Sequence, residues 1–191
     1  MSKKIKLLLV TLFILISAFV TYKNLKSSKH FEKSIQINTS PNKIWGKVNT
    51  IQNIKLWMPY TTTTKSTLIA YSGTAGEIGS AFTWNGLEDV GEGKLTLVDK
   101  KIPTESLDTL EQEYEITYTL EKYSPEAFRA NMKITIEAYN NNTSLVTWQI
   151  DYKLPLSFKS VFSNASESLQ KLENSFNTGL VQLKQITEAI P

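Results

Sequence analysis

The chain has 191 residues, of which 41% are hydrophobic and 20% charged, which supports one folded domain with an appendage and excludes wholesale disorder. Its net charge of +3 is misleading, because the residues from Ser34 onward contain 14 Lys and Arg against 17 Asp and Glu. This slightly acidic balance excludes a nucleic-acid-binding surface of the usual basic kind. The absence of cysteine excludes disulfides, thiolate metal sites and a cysteine-linked lipid anchor.

An uncharged apolar segment occupies residues 7–22, with lysines on both sides. With the two residues before it, the segment reaches roughly the 18 residues that a membrane-spanning helix needs. It is long for the apolar part of a signal peptide, and Ser17-Ala18-Phe19 matches a cleavage site poorly. We therefore expect residues 1–29 to be an uncleaved, single-pass membrane anchor and tether. The alternatives are a cleaved signal peptide and a buried N-terminal helix.

The lysines before this segment indicate an orientation. Lys3, Lys4 and Lys6 favour a cytoplasmic N-terminus, although lysines on both flanks weaken the signal. The domain, residues 30–191, is then expected on the extracytoplasmic side. Residues 22–29 are expected to be a polar tether, and His30 is expected to lie in this tether beside the membrane.

Within the domain the pattern predicts a strand, short helices, six strands and a long helix. Period-two alternation places one set of side chains on a buried face, and it is clearest in the last three predicted strands. Ser40-Pro41 supplies an N-cap and a first-turn proline for the first short helix. The predicted elements in chain order are a strand at 31–38, helices at 41–48 and 53–57, strands at 63–72, 79–85, 93–99, 114–120, 128–138 and 146–152, an irregular bridge at 158–162, and a helix from about 166 to 189.

The last helix carries one apolar stripe, made of Leu169, Leu172, Phe176, Leu180 and Leu183. Consecutive strands joined by short turns form an antiparallel sheet, and a sheet with one apolar face needs a cover. The sequence therefore predicts an α+β fold, in which a curved antiparallel sheet wraps around a long C-terminal α-helix, the helix-grip architecture. Gly179 interrupts the stripe on the inner face, which predicts either a close approach of helix to sheet or a wider cavity mouth.

Four motifs follow one another at regular places in the domain: SPNKIW at 40–45, KLWMP at 55–59, FTWNG with VGEGKLTL at 82–97, and FNTGLVQLK at 176–184. Their order and spacing resemble the START-like superfamily of helix-grip proteins, also called SRPBCC or polyketide cyclase-like. The resemblance covers about residues 31–189. Some bacterial members of that superfamily also carry an N-terminal membrane segment.

The resemblance implies a cavity between the sheet and the last helix that binds lipids, sterols, polyketides or other apolar molecules. It does not imply catalysis, because one fold serves many functions. Strand parity and the helix stripe select the side chains that should line this interior, and plain core packing is the alternative for each of them. The candidate ligand-binding residues are Trp57, Phe82, Trp84, Tyr114, Tyr118, Phe128, Met132, Trp148 and Phe176.

Titrating side chains are scarce in the predicted interior. His30 is the single histidine and lies outside it, while Glu113 and Glu115 fall on the outward parity. The sequence therefore argues against a Ser-His-Asp triad and a histidine metal site in the cavity, and we expect no catalytic residue, no metal and no cofactor. The polar groups that parity turns inward are the hydroxyls of Tyr114, Tyr118 and Tyr152, which would bond either a ligand or the backbone.

The combined expectation is a membrane-anchored binding protein for a small hydrophobic ligand or lipid. Its partners would be that ligand and, through the N-terminal helix, the membrane, but not nucleic acid. Two alternatives remain open. One is a non-catalytic regulatory or interaction domain at the membrane with a filled interior. The other is a weak polyketide cyclase-like enzyme that uses tyrosine hydroxyls.

Overall fold

The computed structural model describes residues 3–25, 28–59, 68–86, 91–103, 113–123, 127–140, 142–153 and 165–189. Seven strands and four α-helices lie in these residues. The elements are α1 (Lys3–Leu25), β1 (Ser28–Ile37), α2 (Pro41–Val48), α3 (Ile51–Ile54), β2 (Leu68–Ser72), β3 (Ala81–Asn85), β4 (Glu92–Lys101), β5 (Glu113–Lys122), β6 (Phe128–Asn140), β7 (Thr143–Lys153) and α4 (Ala165–Glu188).

The seven strands form one antiparallel sheet in the order β1-β7-β6-β5-β4-β3-β2. Strands β2 to β6 each pair with the next strand in sequence, and β1 pairs with β7. The register shifts between Leu97 and Asp99 and between Ala138 and Asn140. Such bulges bend a strand and increase its twist. The sheet is curved and carries a C-terminal helix, so the predicted α+β helix-grip fold is confirmed.

The two ends of the sheet differ in which chain segments meet there. At the near end β1 begins and β7 finishes, with Ser28 opposite Lys153, and the β5–β6 turn follows Lys122. At the far end β1 finishes at Ile37, close to the β6–β7 turn that precedes Thr143.

Alternation along the strands gives the sheet an apolar inner face and a polar outer face. In β5, Ile116 and Tyr118 are fully buried, whereas Glu115 and Thr117 are partly exposed. Helix α4 covers the inner face because its buried side chains recur at helical spacing. The buried apolar residues among its described side chains are Phe176, Leu180 and Leu183.

Helix α4 runs beside β1 from the near end towards the far end. Packing of α4 against β1 is extensive, and polar contacts fix the relative position of the two elements. They are Lys33 Nζ to Glu173 Oε1 at 3.9 Å, Lys184 Nζ to the Gln36 carbonyl at 2.9 Å, and the Asn38 N–H to Glu188 Oε1 at 2.7 Å.

Helices α2 and α3 cover the far part of the inner face. Helix α2 contacts β5, β6 and α4, and α3 contacts β3 and β4. The Thr50 hydroxyl caps α3 by accepting a hydrogen bond from the Asn53 N–H at 3.2 Å. Pro41 opens α2 as predicted, whereas Ser40 makes no side-chain capping bond among the described residues.

The predicted boundaries differ from the structure in three places. Strand β1 begins at Ser28 and α1 continues to Leu25, so the polar tether predicted at 22–29 is mostly helix and strand. The helix predicted at 53–57 is α3 at Ile51–Ile54, because its cap is Thr50. Of the strand predicted at 63–72, the structure describes Leu68–Ser72. Residues 60–67 and the bridge predicted at 158–162 lie outside the described residues.

The first helix, α1, precedes the sheet. Its side chains from Leu9 to Phe19 are exposed. Over the residues that the structure describes, no helix combines the length and the apolar character of a membrane span.

Candidate functional site

The residues predicted to bind a ligand come together on the inner face of the sheet and beneath α4. Phe128 opens β6 opposite Lys122, and its side chain lies outside the described part of the structure. The other predicted residues belong to one hydrophobic core, and none of them is more than 7% exposed. They are Trp57, Phe82, Trp84, Tyr114, Tyr118, Met132, Trp148 and Phe176. Core packing and ligand binding both bury such residues, so only their individual contacts can distinguish the two roles.

Three of these aromatic rings form a continuous stack under α4. The rings of Trp148 and Phe176 lie parallel with their centroids 4.0 Å apart, and Trp57 meets Trp148 edge-on at 5.2 Å. Phe31 meets Phe176 edge-on, with their centroids 5.0 Å apart. Aromatic pairs at these distances stabilise a core beyond their burial alone. The aromatic stack, defined as Trp57, Trp148 and Phe176, therefore fills the space between β7 and the C-terminal half of α4.

Gly179 explains how α4 approaches this stack. A Cβ atom at this position would lie 2.8 Å from Cζ3 of Trp148 and 3.1 Å from Cδ of Pro59. Such separations are shorter than van der Waals contact, so a side chain here would push the helix away. Of the two interpretations of Gly179, the geometry favours close approach of helix to sheet.

A second tryptophan contact lies at the near end. Trp84 in β3 pairs with Gly93 in β4, and a Cβ atom on Gly93 would lie 2.1 Å from Cζ2 of Trp84. The indole therefore lies flat across the glycine on the neighbouring strand, which accounts physically for the tryptophan and glycine of the FTWNG and VGEGKLTL motifs. Phe82 lies 5.6 Å from Trp84, centroid to centroid.

Two indole N–H groups on the inner face have no acceptor among the described residues, those of Trp84 and Trp148. Both side chains are more than nine-tenths buried. The Trp57 N–H, by contrast, is donated to the Lys47 carbonyl at 3.2 Å. A buried donor without an acceptor lowers stability by about 1–3 kcal/mol, so each of the two unpaired groups would be stabilised by an oxygen atom supplied from elsewhere.

The tyrosine hydroxyls are less available for chemistry. The Tyr118 hydroxyl donates to the Val48 carbonyl at 2.7 Å, and burial raises the pKa of this tyrosine well above its usual value. It therefore stays protonated and bonded to the backbone. Tyr114 packs against Trp45 with centroids 5.2 Å apart, and partial burial raises the pKa of Tyr152. Met132 lies opposite Tyr118 in the sheet.

The row of smaller side chains, defined as Leu95, Leu120 and Ala130, crosses β4, β5 and β6 on the inner face, and sequence reasoning left it out of the site. The row continues the register from Phe82 in β3 to Tyr152 in β7, so the five residues are successive cross-strand partners. Leu95, Leu120 and Ala130 are buried, and Ala130 has the smallest side chain of the five. Strand parity in β4 and β6 predicts that these side chains face the interior. They were missed because the candidate residues were chosen mainly among the aromatic side chains.

The outer face carries the charged groups, as parity predicted. Glu113 pairs with Lys101 at 3.2 Å and Glu115 pairs with Lys133 at 3.0 Å. These carboxylates are therefore engaged on the face opposite the candidate site. In this arrangement the carboxylates of Glu113 and Glu115 cannot reach a ligand on the inner face of the sheet.

His30 also lies on the outer face, in β1, so its predicted position in a tether is wrong. Its Nδ1 is 2.8 Å from Asp151 Oδ1 on β7, and its Nε2 is 3.4 Å from Glu32 Oε2. The hydrogen bond with Asp151, followed by that with Glu32, raises the pKa of His30. The pKa of Glu32 is lowered, first by the hydrogen bond from Gln149 and then by His30.

Solved structures identify the fold independently. It is the helix-grip fold. A norcoclaurine synthase from Thalictrum flavum, in complex with dopamine and hydroxybenzaldehyde, matches with a TM-score of 0.55 at 11% identity, over 88% of this chain and 92% of its own. A protein from Thermobifida fusca matches at 0.56 and 12% identity, over 84% and 94%. A hypothetical protein from Helicobacter pylori matches at 0.56 and 8%, over 83% and 88%.

These identities are low, so the similarity establishes the helix-grip fold and leaves activity and ligand to the residues of this chain. No family model and no curated protein matches the sequence.

Proposed function

We propose that residues 30–191 are an SRPBCC-like domain that binds a small hydrophobic ligand or lipid between the sheet and α4. The observation that carries the proposal is the indole N–H of Trp84, which has no acceptor among the described residues. It lies in an apolar interior, close to the row of smaller side chains and at the near end of the sheet. A ligand with an apolar body and one oxygen acceptor would complete this environment.

The energetics favour a ligand chosen mainly by shape and hydrophobicity. Each Å² of apolar ligand surface removed from water contributes about 25 cal/mol. The hydrogen bond from Trp84 would add about 1 kcal/mol and would orient the ligand. Because Tyr118 is already bonded to Val48, its hydroxyl supplies no further contact to a ligand. Broad specificity for apolar molecules that carry an acceptor follows from this.

Native mass spectrometry of the full chain, extracted in mild detergent, tests this proposal. We expect a bound molecule of lipid size, and tighter binding of a fluorescent fatty acid by the wild type than by Trp84→Phe, by about fivefold for one hydrogen bond. Trp57→Phe is the matched control, because the Trp57 N–H already has the Lys47 carbonyl as its partner. Absence of any bound molecule, together with no uptake of the fatty acid, would contradict the proposal.

A second candidate is a non-catalytic regulatory or interaction domain with a filled interior. The aromatic stack favours it, because Trp148, Phe176 and Gly179 are in contact and leave no room for a ligand between them. The same experiment separates the two candidates. A chain that stays empty and takes up no fatty acid supports the interaction domain.

We further propose that residues 1–29 hold the domain at a membrane, with the domain on the extracytoplasmic side. The uncharged segment 7–22 and the exposed apolar side chains of α1 support this location. Carbonate washing of membranes and protease treatment of spheroplasts test it, and we expect a retained chain whose domain is digested from outside. Recovery in the soluble fraction would contradict an anchor, and an intact mass that lacks the N-terminal residues would identify a signal peptide.

A further inference from the structure

The topology places α1 at the near end of the sheet. Helix α1 finishes at Leu25 and β1 begins at Ser28, so the extended chain between these two Cα atoms spans about 10 Å at most. The register carries this position across the sheet, because Ser28 lies opposite Lys153 and Lys153 lies opposite Arg129. The near end is thus fixed close to α1.

The near end also concentrates basic residues at the ends of its strands. These positions are Lys29 in β1, Lys122 in β5, Arg129 in β6 and Lys153 in β7, with Glu121 and Glu92 as acidic neighbours. The Arg129 side chain is 72% exposed and lies 3.9 Å from Glu121. An exposed pair at this distance is weak, so the guanidinium is able to bond phosphate oxygens, for which its planar donor geometry is well suited.

The Trp84 indole N–H of the candidate site also lies at the near end. Trp84 pairs with Gly93, and Gly93 pairs with Lys122. The indole N–H of Trp84, which has no acceptor among the described residues, therefore lies on the inner face of the strand ends whose outer face carries Arg129. An amphiphile with its head at these strand ends would have its apolar chain directed along the inner face of the sheet.

We propose that the near end docks on an anionic bilayer surface, so that an acidic lipid passes directly between the bilayer and the interior. The separation of about 10 Å from α1 is comparable with the distance of about 8–10 Å over which charge acts at physiological salt. This inference rests on the proposed function, since it requires both the membrane segment and a ligand-binding interior. It adds which end of the domain faces the membrane and what charge its lipid carries.

The absence of cysteine allows a direct test with the full chain. Tyr123, just after β5, is 52% exposed at the near end, and Tyr139, late in β6, is 61% exposed at the far end. Strand rise separates the two ends by about 35 Å from Phe128 to Tyr139. Tyr123→Cys and Tyr139→Cys therefore form a matched pair of labelling sites, each carrying a fluorophore after reaction.

The labelled chains are reconstituted in vesicles of phosphatidylcholine, with or without phosphatidylglycerol, that contain a headgroup-linked quencher. We expect at least a threefold greater quenching at position 123 than at 139 in the anionic vesicles, and a smaller difference in the neutral vesicles. Arg129→Glu should reduce quenching at 123, whereas Arg129→Lys should retain most of it. Equal quenching at the two positions, or greater quenching at 139, would overturn the proposed orientation.

Flotation of the vesicles separates this failure from failure of the proposed function. A chain that does not float with either vesicle overturns the anchor and the docking together. A chain that floats and binds the fluorescent fatty acid, but shows equal quenching, overturns the docking alone. Quenching at 123 that is unchanged by Arg129→Glu and by 1 M salt would overturn the electrostatic part.

Discussion

Two tryptophans on the inner face pack against glycines in similar ways but in different surroundings. Trp148 lies against Gly179 of α4, and Trp84 lies against Gly93 of β4. Both indole N–H groups lack an acceptor among the described residues. Trp148, however, is fully buried between aromatic rings, whereas Trp84 retains 6% exposure at the near end.

The difference shows that one structural device serves two purposes in this fold. A glycine removes a side chain so that an indole can approach the backbone closely. Around Trp148 this allows helix and sheet to close on a packed core. At Trp84 it lets the indole lie against β4 beside the row of smaller side chains, at the candidate site. The interior around Trp148 and α4 is therefore the packed core, and the region around Trp84 at the near end is the candidate site.

Removing the two indoles has the largest expected effect and tests directly whether their surroundings differ in packing. Trp148→Ala should lower the free energy of unfolding by about 3–5 kcal/mol, because a large buried side chain leaves a cavity. Trp84→Ala should lose about 1 kcal/mol less, because it breaks fewer aromatic contacts. Urea unfolding measures both. Equal losses would mean that the near part is packed as tightly as the stack.

Substituting the glycines tests whether both contacts are rigid. Gly93→Ala should destabilise the domain by about 2–3 kcal/mol, because the new methyl group meets the Trp84 ring and the Glu121 carbonyl at 2.8 Å. Gly179→Ala should lower the free energy of unfolding by less, about 1 kcal/mol. Alanine favours the helix over glycine by a similar amount, and this gain offsets part of the clash.

A double-mutant cycle supplies the control for these glycine variants. Trp84→Leu together with Gly93→Ala should recover part of the loss, because the smaller side chain leaves room for the methyl group. Thermal unfolding of the single and double variants measures the coupling. Strict additivity would show that the Trp84 contact does not cause the loss in Gly93→Ala.

The hydroxyl of Tyr118 tests whether the middle of the inner face is packed core. Tyr118→Phe removes the bond to the Val48 carbonyl and should lower stability by about 1–2 kcal/mol, because that carbonyl is left unpaired in the interior. Binding of the fluorescent fatty acid should not change. Tyr139→Phe, at an exposed position, is the matched control and should have the stability of the wild type.

The sequence predicted the sheet and the helix because their signals are local. Alternation in residues 114–120 and the stripe from Phe176 to Leu183 are read directly from neighbouring residues. The pairing of Trp84 with Gly93 could be guessed from the motif, but the clash that makes it necessary depends on register. The donation from Tyr118 to Val48 joins residues far apart in the chain, so no local pattern could separate it from a ligand contact.

His30 offers the smallest expected effect and tests how the near end is held on its outer face. The hydrogen bonds to Asp151 and Glu32 raise the pKa of His30 above 6.5, so the charged imidazole stabilises the pairing of β1 with β7. This contribution is complete below pH 6.5 and is lost as pH rises through the pKa of the folded state.

Because His30 is the single histidine of the chain, its NMR titration is free of overlap. Asp151→Asn should return the pKa of His30 towards 6.5 and reduce the dependence of the free energy of unfolding on pH above 6.5. An unchanged pKa in this variant would show that Asp151 does not hold His30, and that the start of β1 depends on backbone pairing alone.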